Sequence, residues 1–155
     1  MPAPAAAFQP AYAGYAERVR ASFARQGAMA LMGAELIAIE PGFCAIALKP
    51  RPEVSQQHGF VHAGALSAIA DSAAGYAALS MMPMDRGVLT TEFKINLLAP
   101  ATGERIIARG KVVKAGRTLT LAQTEVFSES EGKEQLIALL TATLMTIEGR
   151  EGIAD

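Results

Sequence analysis

Tryptophan is absent, cysteine occurs once and histidine twice. The lone cysteine, Cys44, excludes an intrachain disulfide framework. Its place in an apolar run makes it a small hydrophobe rather than a reactive thiol. Charge of either sign is scarce. Lys and Arg number 14 against 15 Asp and Glu, for a formal net charge of -1, and that excludes the basic footprint of a nucleic-acid binder. No uninterrupted apolar run has the length of a membrane span. The N-terminus lacks a basic stretch followed by an apolar core, which argues against a secretory signal. A cytoplasmic enzyme or binding protein is the expectation. At 155 residues, 51% of them hydrophobic, the chain forms one domain with a substantial core.

What is present centres on residues 56 to 80. A loop with two histidines, His58 and His62, and two glycines, Gly59 and Gly64, leads into a long run of small and apolar residues. The run reads as a helix from Gly64 to just before Pro83, which cannot continue it. At helical period Gly64, Ala68, Asp71, Gly75 and Ala78 share one face, while Leu66, Ile69, Ala73, Tyr76 and Ser80 fall broadly on the other. Both faces are largely apolar, which predicts a helix covered on all sides. Asp71 is the one carboxylate in the run, and aspartate is a poor helix former that is rarely buried alone. It is either a packing accident near the helix surface or a general base or nucleophile at the rim of a pocket. The helix start adds unpaired N–H groups and the positive end of the dipole, suited to an oxygen that gains charge in a transition state.

The flanks supply the frame. Residues 1 to 11 are rich in Ala and Pro and read as frayed. Tyr12 to about Ala28 reads as a surface helix whose arginines are solvated. Two strands between Leu31 and Pro50 join at Glu40-Pro41-Gly42. After the long helix come four strand-like stretches, at about 87–98, 104–114, 118–127 and 135–146, read as an antiparallel meander. The domain limits follow: 1–29 tail and surface helix, 30–147 the main domain, 148–155 a loose tail. The layout is α+β, with a sheet curling around the apolar helix. The sheet's open edges suggest a dimer joined edge to edge.

Gln56-Gln57-His58-Gly59-Phe60-Val61-His62-Ala63-Gly64 with Asp71, followed by Leu89-Thr90-Thr91-Glu92-Phe93-Lys94-Ile95-Asn96-Leu97-Leu98-Ala99-Pro100, resembles the hotdog-fold acyl-CoA thioesterases of the phenylacetate-pathway, or PaaI-like, type. The similarity covers roughly residues 30 to 147. It implies a curved antiparallel sheet wrapped around the helix, and homodimers or homotetramers with active sites at the dimer interface. Asp71 falls on the family's catalytic carboxylate, Gln56 on its asparagine, Gly59 on its glycine and His62 on its histidine. Ala63 stands where a first glycine is usual, and Gly64 matches the second. Thr90 or Thr91 matches a strand hydroxyl that orients water or the carboxylate.

The resemblance further implies an acyl-CoA substrate. The thioester carbonyl would rest on the N–H of Ala63 or Gly64, with Gln56 as an added donor, and Asp71 would reach across from the partner chain. Coenzyme A arrives with the substrate, so no separate cofactor is expected. His62 reads as a structural donor that fixes the loop and His58 as a pocket-wall residue. The two do not match a tight zinc spacing. Arg117, Lys114, Arg109 and Lys111 are candidates for the coenzyme A phosphates, each equally readable as a solvated strand residue, and Lys94 and Arg86 follow. Phe60, Tyr76, Leu79, Met81, Met82 and Met84 are candidates for the acyl pocket of a medium- or long-chain substrate, with aryl thioesters an alternative. The rival functions are a hydratase or dehydratase of the same fold and a non-catalytic acyl-CoA binding module.

Overall fold

The computed structural model describes residues 8–153. The first seven residues of the expected frayed segment, and the last two of the tail, lie outside them. In chain order come helices α1 (Tyr15–Ala24) and α2 (Gly27–Met32), strands β1 (Glu35–Glu40) and β2 (Phe43–Leu48), and the long helix α3 (Ala63–Leu79). Strands β3 (Arg86–Leu97), β4 (Arg105–Ala115), β5 (Leu119–Ser130) and β6 (Lys133–Glu148) follow. All six strands form one antiparallel sheet in the order β1-β2-β4-β5-β6-β3. This is the α+β, hotdog-type arrangement the sequence predicts.

Three details of the strands and helices differ from the sequence reading, and three of packing follow below. Only β4, β5 and β6 form a meander, because β3 pairs with β6 and not with its successor β4. Alternation within a strand carries no information about its neighbour. The expected turn at 128–132 is shorter, since β5 and β6 run on to Ser130 and Lys133. There Glu131 (φ 51) and Gly132 (φ 73) take the left-handed conformation that a two-residue hairpin requires. The single N-terminal helix is two. Gln26 is extended (φ -75, ψ 101) between them, and α2 ends at Gly33 in the left-handed region.

The arginines of α1 are not all solvated. Arg18 is buried and donates to the carbonyls of Met82 (3.1 Å), Pro83 (2.8 Å) and Arg86, closing the turn that leads from α3 into β3. The tail is not wholly loose either. Ile153 folds back against Gly87, where a Cβ would lie 2.7 Å from its carbonyl oxygen.

Helix α3 lies on the inner face of the sheet. Leu66, Ile69 and Leu79 are buried with a row of alanines against Ile46, Leu48, Ile106, Val126, Leu140 and Leu144. Each such aliphatic side chain contributes about 2 kcal/mol by leaving water. The closest approach is at Gly110 of β4, where an added Cβ would sit 2.5 Å from the backbone of Ala73. Beside it on β5, Thr124 lies opposite Gly110 and donates to the carbonyl of Ala70 at 2.9 Å. These two positions fix the helix's height and rotation over the sheet.

The helix is not covered on all sides. The stripe Gly64, Ser67, Ala68, Asp71, Ser72 and Gly75 stays partly open, on the side of the edge strand β3. Phe93 (45% exposed) and Leu97 (53%) stand on the same face as buried Ala142 and Ala138 of β6, yet nothing in the protomer covers them.

Gly110→Ala should therefore lower stability by about 1–3 kcal/mol, the usual range for an overpacked core site. Gly75→Ala, where the nearest atom to the new Cβ is a Leu144 methyl at 3.9 Å, should cost nothing comparable. Urea unfolding of both variants checks the contrast.

Candidate active site

Asp71 projects from the open stripe of α3 towards the first half of β3. Its Oδ1 accepts a hydrogen bond from Thr90 Oγ1 at 2.8 Å. A β-bulge decides between the two threonines. The register shifts between Thr90 and Glu92, so Thr90 points at the carboxylate while Thr91 turns away and donates to the carbonyl of Thr143 at 3.0 Å. Burial pushes the Asp71 carboxyl above its ordinary range, and the Thr90 hydrogen bond pulls it partway back. Around the pair lies a cavity of about 410 Å³, lined also by Ser22, Gln26, Ser72 and Tyr76.

A second cavity, of about 570 Å³, lies at the other end of α3. Gln56, Phe60, His62 and Ala63 line it, with Leu97 and Leu98 from the far end of β3. His62 caps the helix, its Nδ1 accepting the N–H of Gly64 at 2.8 Å. It acts as an acceptor rather than a donor, and it occupies the Gly64 N–H that the sequence offered as an oxyanion donor. The neighbouring N–H of Ala63 has no partner among the described residues. Ala63 is helical, with no positive φ, so alanine in place of a glycine is unstrained. Gln56 closes its own loop: its Oε1 accepts from the His58 N–H, and its backbone bonds Phe60 and Gly59, which is in the left-handed region. That fixes the side chain and leaves its NH₂ group as a donor. His58 itself stays exposed in this loop.

The predicted residues thus fall into two groups on one protomer, Asp71 with Thr90 and Gln56 with His62, Ala63 and Gly64. From Ala63 to Asp71 the helix rises about 12 Å at 1.5 Å per residue, so one small carbonyl cannot touch both. The basic candidates gather at neither cavity. Arg109 stands on the outer face, in a two-point ion pair with Glu134 (2.8 and 2.6 Å) and over the ring of Phe127. Lys111 and Lys114 are exposed further along β4. Arg117 lines a separate cavity at the C-terminal end of α3 with Met81, Met82 and Arg86. Of the acyl-pocket candidates, Tyr76 lines the Asp71 cavity and Phe60 the second, Leu79 is core, and Met84 is exposed. Cys44 is buried, its thiol pushed up to about 12 by desolvation, as an inert core residue should be.

A helix that presents a half-buried carboxylate, on a sheet of this order, matches known proteins. The model of the thioesterase superfamily fits residues 58–135, half of the chain. The chain belongs to that superfamily. It is a PaaI-like, hotdog-fold thioester hydrolase. It is similar to a thioesterase family protein from Silicibacter pomeroyi, with 49% identity and a TM-score of 0.86 over 88% of this chain and 100% of that one. A variant of the phenylacetic acid degradation protein PaaI from Thermus thermophilus matches at 29% identity and a TM-score of 0.67 over 77% of this chain and 98% of that one. The 1,4-dihydroxy-2-naphthoyl-CoA hydrolase of Listeria monocytogenes is 24% identical over 105 residues, 68% of this chain and 85% of that one. No described helix is long and apolar enough to cross a membrane.

Five residues of the Asp71 cavity escape sequence reasoning: Ser22 from α1, Arg25 and Gln26 from the break that follows it, Ser72 and Val88. The break at Gln26 that turns its amide inward has no periodic signature. Ser72, a polar residue beside Asp71 in an apolar helix, is the one signal that was available.

Two outcomes follow from the Asp71 environment. A base or nucleophile must be ionised, so activity falls as pH drops through its raised pKa. Thr90→Val removes the contact that lowers this pKa, so the acidic limb of the kcat/KM profile should move to higher pH. The sign for stability runs the other way. A carboxyl whose folded pKa exceeds its unfolded value favours the fold below the unfolded pKa and loses that contribution as pH rises through the folded one. Asp71→Asn should therefore be at least as stable as the parent at pH 7, as thermal melts at pH 4 and pH 7 will show.

Proposed function

We propose that the enzyme hydrolyses acyl-CoA thioesters in a site shared by two protomers, with Asp71 of one acting on a carbonyl held by the loop and helix start of the other. The observation that carries this reading is the split of the site along β3. The Asp71 cavity touches Val88, Leu89 and Thr90 near one end of that strand, and the Ala63 cavity touches Leu97 at the other. β3 is an edge strand with apolar residues uncovered on the helix side. Pairing it antiparallel with its own copy about a two-fold axis lays each end against the opposite end of the partner. Asp71 then faces the other protomer's Ala63.

In that arrangement the thioester oxygen accepts from the Ala63 N–H and the Gln56 side-chain amide at the positive end of α3. Asp71 takes a proton from water as the water oxygen adds to the carbonyl, or its own carboxylate oxygen adds and water later hydrolyses the resulting anhydride to the free acid and the restored carboxylate. The electron pair passes to the oxygen, and collapse of the adduct breaks the C–S bond and releases the coenzyme A thiolate. Coenzyme A leaves as a product, and no further cofactor enters. Arg117 and Lys114, at the β4–β5 turn, remain the candidates for its phosphates. Arg109 is committed to Glu134. Among acyl groups, the aromatic class is supported by the name of the Listeria relative and by the limited size of the Asp71 cavity, over the long-chain class. A cytoplasmic enzyme fits a coenzyme A substrate.

Ala63→Pro is a clean probe of the oxyanion contact. Proline is favoured at the first helical position, where it removes only an unused N–H, and His62 (φ -62, ψ 139) already has the extended backbone that precedes proline. The variant should fold normally and lose about 10²–10³ in kcat. Asp71→Asn should lose at least as much. Refolding the two inactive variants together should restore activity, since mixed dimers contain one site with an intact carboxylate and an intact helix start. A mixture that stays inactive while forming mixed dimers would place the whole site in one chain.

A further inference from the structure

The edge strand β3 carries different chemistry on its two faces. Leu98 turns its N–H to the carbonyl of Ile137 on β6 at 2.8 Å, so by alternation Phe93, Ile95 and Leu97 turn theirs to the free edge. Phe93, opposite buried Ala142, stands on the helix side. Glu92 and Lys94, opposite Thr143 and Thr141, stand on the outer side and are exposed. Glu92 accepts a hydrogen bond from Thr143 Oγ1 at 3.0 Å, while Lys94 has no ion pair among the described residues. The two cavities bracket this stretch evenly. Val88, Leu89 and Thr90 line one, and Leu97, Leu98 and Ala99 line the other, so the midpoint falls between Phe93 and Lys94.

We propose that β3 meets its own copy with Phe93 opposite the partner's Phe93, and that a Glu92–Lys94 ion pair, made twice across the axis, fixes this register. The inference rests on the shared-site reading and names the surface that aligns its two halves. Directly opposed residues of an antiparallel pair share a face. A strand that meets itself about a two-fold axis therefore places one residue opposite itself, and the midpoint leaves two choices. With Lys94 on the axis, two ammonium groups face each other and Glu92 meets Asn96. With Phe93 on the axis, two rings pack together on the helix side, and each Glu92 meets the partner's Lys94 on the outer side. Opposed like charges repel, whereas opposite charges and aromatic pairs attract, so the second register wins. The two differ by two residues of offset, about 7 Å along the strand. These charges thus set how squarely Asp71 of one protomer faces the helix start of the other.

The test refolds Glu92→Lys and Lys94→Glu together. Alone, each variant opposes like charges twice across the axis. In a mixed dimer every pair is again opposite in sign. Native mass spectrometry at low salt should find mixed dimers on the order of fivefold or more over the two like dimers together, where chance gives equal amounts. The double variant, which reverses both charges, should dimerise as the parent does. Phe93→Cys should form an intersubunit disulfide on mild oxidation. Leu97→Cys, at a position no less exposed, should not, because in this register it lies far beyond disulfide reach of its copy. Mixed dimers no more abundant than chance, or no disulfide from a dimeric Phe93→Cys, would overturn the inference and leave the shared site standing. A parent that is a monomer in solution would overturn both.

Discussion

The contact between α3 and the paired positions Gly110 and Thr124 governs the rest of the structure. A helix of alanines on a sheet has few bulky side chains to key it in place, and a stripe of small residues tolerates sliding and rotation. A missing side chain at Gly110 lets the helix backbone settle onto β4, and the Thr124 hydroxyl fastens the carbonyl of Ala70, one residue before Asp71. Rotation of the helix by one position would carry Asp71 away from Thr90 and towards the sheet. The direction of the carboxylate is thus set from beneath, by β4 and β5, while its chemistry faces the opposite side, towards β3.

That facing strand must do two things that ordinary pairing forbids together. It must hold a full ladder to β6, and it must aim one hydroxyl inward at a carboxylate. The bulge at Thr91 reconciles them. One extra residue lets Thr90 turn to Asp71 while the ladder resumes at Glu92. The hydrogen bond opposes the desolvation that burial imposes on the carboxylate. Without it, burial would raise the carboxyl further and shift it towards the protonated acid, which cannot serve as a base or nucleophile.

Sequence legibility follows from which interactions are local. The helix, its carboxylate and the strand count were legible because apolar periodicity and a lone acidic residue are properties of one segment. The choice between Thr90 and Thr91 was not, because a bulge is defined by two strands and the alternating pattern is the same on either side of it. The place of β3 beside β6 was not legible for the same reason. Which of Ala63 and Gly64 keeps a free N–H was not legible either: the imidazole two residues upstream reaches back and takes that of Gly64, a contact that glycine's openness invites. The basic residues were grouped by nearness in sequence. Alternation along β4 then sends Arg109 to the outer face, away from α3, where a glutamate and an aromatic ring hold it.

The uncovered row on β3 ties these points together. A single protomer could bury Phe93 and Leu97 under a longer helix or an added strand, and it would be more soluble for it. Such a cover would also close the mouths of both cavities, since Asp71 opens towards one end of this strand and Ala63 towards the other. Leaving the edge free removes that conflict only if the cover is supplied by something that brings chemistry with it. In the proposed dimer a second copy would do so by symmetry: the surface hiding each apolar row would also carry the other half of each site. In this reading the exposed edge is the feature that allows a carboxylate and an oxyanion donor, held about 12 Å apart on one rigid helix, to meet at a single carbonyl.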